Sequence, residues 1–277
     1  MSPKIGVVIN YCTNDYKFIK PNINQVALIR PKEIIVTYTD HFYNGKQENL
    51  ALIKKTIKEN PKARFVEIKY HPVNPPFNEF FLRLIPRSFG LRPLYGPHYW
   101  ACMARYIGYR ELSQEVDYVL FLDADEIIDG ERLKQWLETK EYQKLGGMIF
   151  ACYFYFRKPI YRAKTWEECG LLVKNYKIKK EDFLSHNDRR NIYRKAPSPK
   201  RSFILGIDGR PMIHHYAWAR NKKEMLKKVK TWGHSQERNW ERLVLEEFSH
   251  PFNGTDFLRH YKYEKVGSFI SFDNKDE

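Results

Sequence analysis

The most concentrated chemistry in the chain is Asp123-Ala124-Asp125-Glu126, which places three carboxylates within four residues directly after the apolar run Val119-Leu120-Phe121-Leu122. Such a run reads as a buried strand, so its end delivers the acids to the rim of a sheet. Carboxylates there are costly to desolvate without a counter-charge, and hard oxygen donors suit Mg²⁺ or Mn²⁺, which can join them to the phosphates of a nucleotide. A metal so placed would act as a Lewis acid on a departing pyrophosphate. The competing use is capping of a helix expected from Glu131 to Leu137, because acids favour a helix N-terminus. Asp129 already stands at the cap position, which frees Asp123 and Asp125 for the metal.

A second group, Met212-Ile213-His214-His215-Tyr216-Ala217-Trp218-Ala219-Arg220, follows Gly209 and Pro211. Imidazole is a ready Mn²⁺ ligand, and Trp218 could offer a flat apolar face to a sugar ring. Each residue also has an ordinary use: a core histidine, a packed tryptophan, an arginine at a helix start. Beyond it runs a basic stretch expected to form one long helix from Lys222 to Leu245. Its stripe of Met225, Leu226, Val229, Trp232 and Trp240 belongs in a core, while Lys222, Lys223, Lys227, Lys228 and Lys230 read as a solvated face or a contact for anionic lipid.

The elements that must position these groups alternate. Ile5 to Tyr11 is a short apolar strand, and Phe18 to Ile29 has helical spacing up to Pro31. Glu33 to Tyr38 is β-branched and closes on Asp40. A helix near Gln47 to Glu59, a strand Arg64 to Ile68, a helix Tyr99 to Leu112 and a strand Tyr118 to Leu122 follow. Repeated strand-helix units predict a parallel sheet covered on both faces, with ligands beyond the carboxyl ends of the strands. Asn10, Asp40 and Asp123 all fall on that edge. From about Gly147 the chain turns β-rich and aromatic. Pro86 to Pro97 and the basic Lys195 to Arg201 read as loops, the second a mobile segment able to lie over a phosphate.

Across roughly residues 4 to 145, the strand order, Asp40, Ala104-Arg105-Tyr106-Ile107-Gly108 and FLDADE together resemble the nucleotide-sugar half of glycosyltransferase family 2, a GT-A fold. The resemblance implies an α/β nucleotide-diphospho-sugar transferase fold, with a mostly parallel central sheet flanked by helices and a mixed β region. It further implies a catalytic domain over 1–220, split at 145 into nucleotide-sugar and acceptor halves, and a helical extension over 221–277. Asp125 would be the direct metal ligand and Asp123 would contact the ribose or the metal shell. Asp40 would recognise the nucleoside, Asn10 and Tyr11 would line the base pocket, and Arg105 would position the donor. Tyr106 stands where the family's Ala-Arg-Asn element has Asn. Bacterial relatives carry a block like His215-Tyr216-Ala217-Trp218-Ala219-Arg220 before a Met- and Lys-bearing helix. This makes His215, rather than His214, the third metal ligand, with Arg220 on the donor side.

The implied reaction moves a sugar from a UDP- or GDP-linked donor to a hydroxyl of a glycan or lipid-linked acceptor with inversion, using Mn²⁺ or Mg²⁺. Inversion needs a base to deprotonate that hydroxyl. Asp182, preceded by Glu181, is the nearest match, and Asp188 is the reserve. A formal charge of +15 also fits nucleic acid, an anionic membrane surface or a solvated lysine-rich exterior. The aromatics fall mainly in apolar strands rather than beside a basic stripe, which disfavours nucleic acid; a catalytically silent nucleotide-sugar-binding module is the remaining alternative. Cys12, Cys102, Cys152 and Cys169 have no metal-finger or CxxC spacing and read as free thiols. Together with the absence of a long apolar segment, this predicts a cytoplasmic protein, with peripheral membrane contact as an added expectation.

Overall fold

A computed structural model describes residues 3–73, 96–235 and 237–271. Residues 86–95 of the expected Pro86 to Pro97 loop lie outside the described residues. Strand β1 (Ile5–Asn10) is buried throughout. It leads through a short 3-10 turn into helix α1 (Tyr16–Ala27), then β2 (Glu33–Thr39), α2 (Leu50–Glu59), β3 (Arg64–Ile68), α3 (Gly96–Arg110) and β4 (Tyr118–Asp123). These elements match the alternation of apolar runs and helical spacing. Asp129 caps α4 (Gly130–Glu138) by accepting from the Arg132 amide, as its position predicts.

One sheet carries the whole arrangement. Strands β3, β2, β1 and β4 lie side by side and parallel. The sheet continues through β7 (Tyr161–Lys174), β6 (Gly147–Phe156), β9 (Ile213–Trp218) and the short β5 (Glu126–Ile128), with antiparallel pairing at β4–β7, β7–β6 and β9–β5. Strand β8 (Lys200–Ile204) pairs β6, and β10 (Tyr263–Lys265) pairs β7. The fold is therefore α/β, a parallel half continued by a mixed half, with helices packed on the sheet. Leu120, Leu122 and Phe150 bury on one face, and Val8, Phe121 and Leu171 on the other.

Two expectations are corrected. The basic stretch is two helices, α7 (Lys222–Thr231) and α8 (Trp240–Glu247), because the chain leaves helical geometry at Trp232 and Asn239 caps a fresh start. Gly233 sits in the break, where a Cβ would lie 3.2 Å from that of Ala101 on α3. Lys195 to Arg201 does not overhang the acidic turn. Lys200 and Arg201 belong to β8 and pair with Gly147 and Met148 at the start of β6, the sheet edge opposite the acids. Among the described residues, no helix is long and apolar enough to cross a membrane.

Candidate functional site at the carboxyl edge of the sheet

After β1 the chain builds outward through β2 and β3, then returns to lay β4 on the other side of β1. That reversal opens a crevice beyond the carboxyl ends of β1 and β4, the place where open α/β sheets bind ligands. Asn10 and Asp123 are register partners on its two sides, and the Ala124 amide donates to the Asn10 carbonyl at 3.0 Å. Below the turn, the fully buried Asn22 of α1 aims its amide at the carbonyls of Asp123, Ala124 and Glu126, at 3.1, 3.1 and 3.0 Å. One side chain thus ties down three carbonyls of the acidic segment. Helix α3 comes close because Gly108 lacks a Cβ, which would stand 2.6 Å from Val8 and 2.9 Å from Thr37. Arg105, on the same helix, then reaches the crevice.

The carboxylates here are met by cations from α3, α6 (Asp188–Lys195), β9 and α7, and by Arg220 just after β9. Arg105 bridges Asp123 and Asp188, at 2.6 Å to each. Arg189 grips Glu126 through both terminal nitrogens, at 2.5 and 2.8 Å, and stands 3.6 Å from Asp123. Asp125 receives Lys228 at 2.6 Å and Arg220 at 3.2 Å on one oxygen, with His215 Nε2 3.9 Å from the other. Arg220 also holds Asp15. Burial alone would raise the Asp125 pKa, but Lys228, His215 and Arg220 hold it well below the usual carboxylate range. Burial would likewise lower His215; a bond with Cys152 and the charges of Glu126 and Asp125 reverse this and push it up to about 9. Its neighbour on β9 goes the other way. Burial, then Arg132 and Arg162, push His214 down to about 3, and its Nδ1 meets the Tyr155 hydroxyl at 2.8 Å.

Whether Asp123, Asp125 and His215 fit a divalent ion turns on their free oxygens. Five carboxylates, of Asp15, Asp123, Asp125, Glu126 and Asp188, face five cations, Arg105, Arg189, Arg220, Lys228 and protonated His215. Arg105 takes Asp123 Oδ1, and Lys228 and Arg220 take Asp125 Oδ2; the other two oxygens face Arg189 at 3.6 Å and His215 at 3.9 Å, so a divalent ion would have to approach them against those two cations. With a cation already beside each of these oxygens, the expected metal does not fit this donor set as it stands.

Other expected site residues divide. Asp188 joins the network through Arg105, whereas Asp182 does not. It is buried, accepts from the Lys179 amide at 3.0 Å and pairs with Lys195 at 2.5 Å, closing the short helix α5 (Lys180–Phe183). Asn10 donates to the Ala101 carbonyl and accepts from Thr37, and Tyr11 is buried with its hydroxyl on Thr56, so both brace the crevice rather than line an open pocket. Trp218 is buried among Trp232, Trp240 and Phe257, which removes its face from any sugar. Arg220 is buried as the turn's counter-ion. Lys228 corrects the reading of its helix as a solvated lysine face: it is buried and bound to Asp125.

Asp40 sits at the rim as expected, 2.9 Å from His41, whose ring stacks on Tyr70 at 5.4 Å. Tyr70 in turn meets Trp100 at 5.6 Å. This aromatic edge beyond β2 and β3 was not read from the sequence, although His41 directly follows Asp40. Arg189 and Asn22 were also missed. A cavity of about 370 Å³ lined by Tyr153, Arg162, Lys164, Trp166, Arg210 and Glu264 lies elsewhere, and none of these residues joins the acidic network.

No protein family profile matches the chain, and no curated protein matches it by sequence. Solved structures do. Staphylococcus aureus TarS, residues 1–349, matches at 13% identity over 89% of this chain and 70% of that one, with a TM-score of 0.41. In its complex with UDP-GlcNAc, the same TarS segment matches over 55% of this chain and 35% of that one, with a TM-score of 0.35. A Pyrobaculum calidifontis mannosyltransferase, PcManGT, in complex with GDP-Man and Mn²⁺ matches at 9% identity over 83% and 62%, with a TM-score of 0.42. Likeness at this level says nothing of the chemistry of this chain.

Proposed function

We propose that the chain is a glycosyltransferase that binds a nucleoside-diphosphate sugar in the crevice between β1 and β4 and passes the sugar to a hydroxyl acceptor. The observation that carries this reading is Asp123, the one carboxylate of the acidic turn with a substantially exposed side chain, placed at the strand reversal between Arg105 and Arg189. Its position suits a ribose hydroxyl. The two guanidiniums supply planar, permanently charged donors for phosphate oxygens. Asp40, His41, Tyr70 and Trp100 offer an edge against which a nucleobase could stack. In this reading the diphosphate competes with Asp123, Asp188 and Glu126 for Arg105 and Arg189, guanidiniums that those carboxylates already hold in place at the crevice. Asp188, held by Arg105 within the network, is the better placed of the two proposed bases.

The test is a melting-temperature screen of UDP-, GDP-, CMP- and dTDP-sugars, with Mn²⁺ and with chelator. One nucleotide class should raise the melting temperature in both conditions, and Asp123→Asn should remove the shift while leaving the apo melting temperature close to wild type. If no nucleotide sugar shifts the protein, the reading fails. If the shift appears only with Mn²⁺, protein cations are not the sole counter-charge.

A further inference from the structure

A second cluster lies at the same edge, built from residues that the acidic network does not use. The His98 ring, on the first turn of α3, lies 5.0 Å from the His186 ring and 4.9 Å from the His234 ring, centre to centre. His234 Nδ1 is 2.6 Å from Glu237 Oε1. One donor atom each from His98, His234 and Glu237 falls within 4.8 Å of the other two. The three come from α3 and from the break between α7 and α8, which are brought together where Gly233 lets the backbone lie against Ala101.

The ring nitrogens of His98 and His234 and a carboxylate oxygen of Glu237 converge closely enough to share one cation.

We propose that His98, His234 and Glu237 bind one divalent ion of the zinc type, with His186 alongside as a further nitrogen donor. Two imidazoles and a carboxylate form the nitrogen and oxygen donor set that zinc accepts, and such sites commonly leave a position for water or substrate. The ion would fasten α3 to the break after α7 at the mouth of the crevice. This assignment does not depend on glycosyl transfer and would stand if that reading failed.

The experiment titrates Co²⁺ into the full chain after chelator treatment and dialysis, following ligand-field absorption, and then displaces it with Zn²⁺. One equivalent should bind and be displaced. His98→Ala and His234→Ala should each weaken Co²⁺ at least about tenfold, since even partners that only orient ligands contribute that much. Glu237→Gln, at an exposed position, should weaken it by a comparable factor, and unchanged urea unfolding of that variant guards against a loss that is merely misfolding. Absence of stoichiometric binding, or binding unchanged in Glu237→Gln and both histidine variants, overturns the site. A thiolate-to-cobalt charge-transfer band would overturn it too, by placing the ion on the buried group of Cys152, Cys169 and His215.

Discussion

The acidic turn and the histidine cluster share one edge of the sheet, and each gathers residues from distant parts of the chain, yet they are closed in opposite ways. At the turn, five acids and five cations neutralise one another and the innermost side chains are almost without solvent contact. In the histidine cluster three rings meet beside a single carboxylate, Glu237, which pairs with His234. Carboxylates beneath a sheet edge therefore do not by themselves mark a metal site. What matters is whether their oxygens are already taken.

That contrast breaks most sharply at Lys228. Lys228→Met keeps the length of the side chain but leaves Asp125 short of a buried partner. It should destabilise the protein by about 3 kcal/mol, the low end for an unpaired buried charge because Arg220 and His215 remain; urea unfolding measures this. Little or no loss would mean that the pairing is not what holds Asp125 in its buried place. Asn22→Leu probes the backbone beneath the charges. Losing the amide that spans three carbonyls should cost about 1–3 kcal/mol and reduce nucleotide-sugar binding, while leaving Co²⁺ binding at the histidine cluster intact. Loss of both ligands together would show that the two regions are one unit.

The remaining test concerns pH. His215 has a folded pKa raised to about 9 from the ordinary 6.5, so its contribution to stability is fully present below about 6.5 and is lost as pH rises through about 9. His215→Gln should flatten the decline in unfolding free energy across that window. A decline of equal steepness in the variant would assign it to another group.

Much of this edge was legible in the sequence, for physical reasons that differ from residue to residue. Strand β4 and the placing of Asp123 followed from an apolar run ending in acids, and Asp129 was recognisable as a cap because caps obey local spacing. His215 rather than His214 does face Asp125, since alternate residues of a strand point to opposite faces. Lys228 carried a signal that went unread. It stands three residues after Met225 and four before Trp232, on the apolar stripe of α7, where a lysine needs an acid. Asn22 offered no pattern, because its partners lie about a hundred residues away and a lone polar residue in a helix looks solvated. The burial of Trp218 and the pairing of Asp182 with Lys195 are decided by tertiary neighbours that spacing does not reveal.

The bond between Asp125 and Lys228 spans 103 positions of the chain, and this sets an order of assembly during synthesis. At typical elongation rates the ribosome needs on the order of five to twenty seconds to add that stretch. Throughout that interval β1 to β4 can already pair, but their acidic rim faces water without its lysine. A nascent chain halted before residue 220 would present an exposed anionic edge to chaperones and solvent. Only the arrival of the last third converts that edge into a neutral, buried junction.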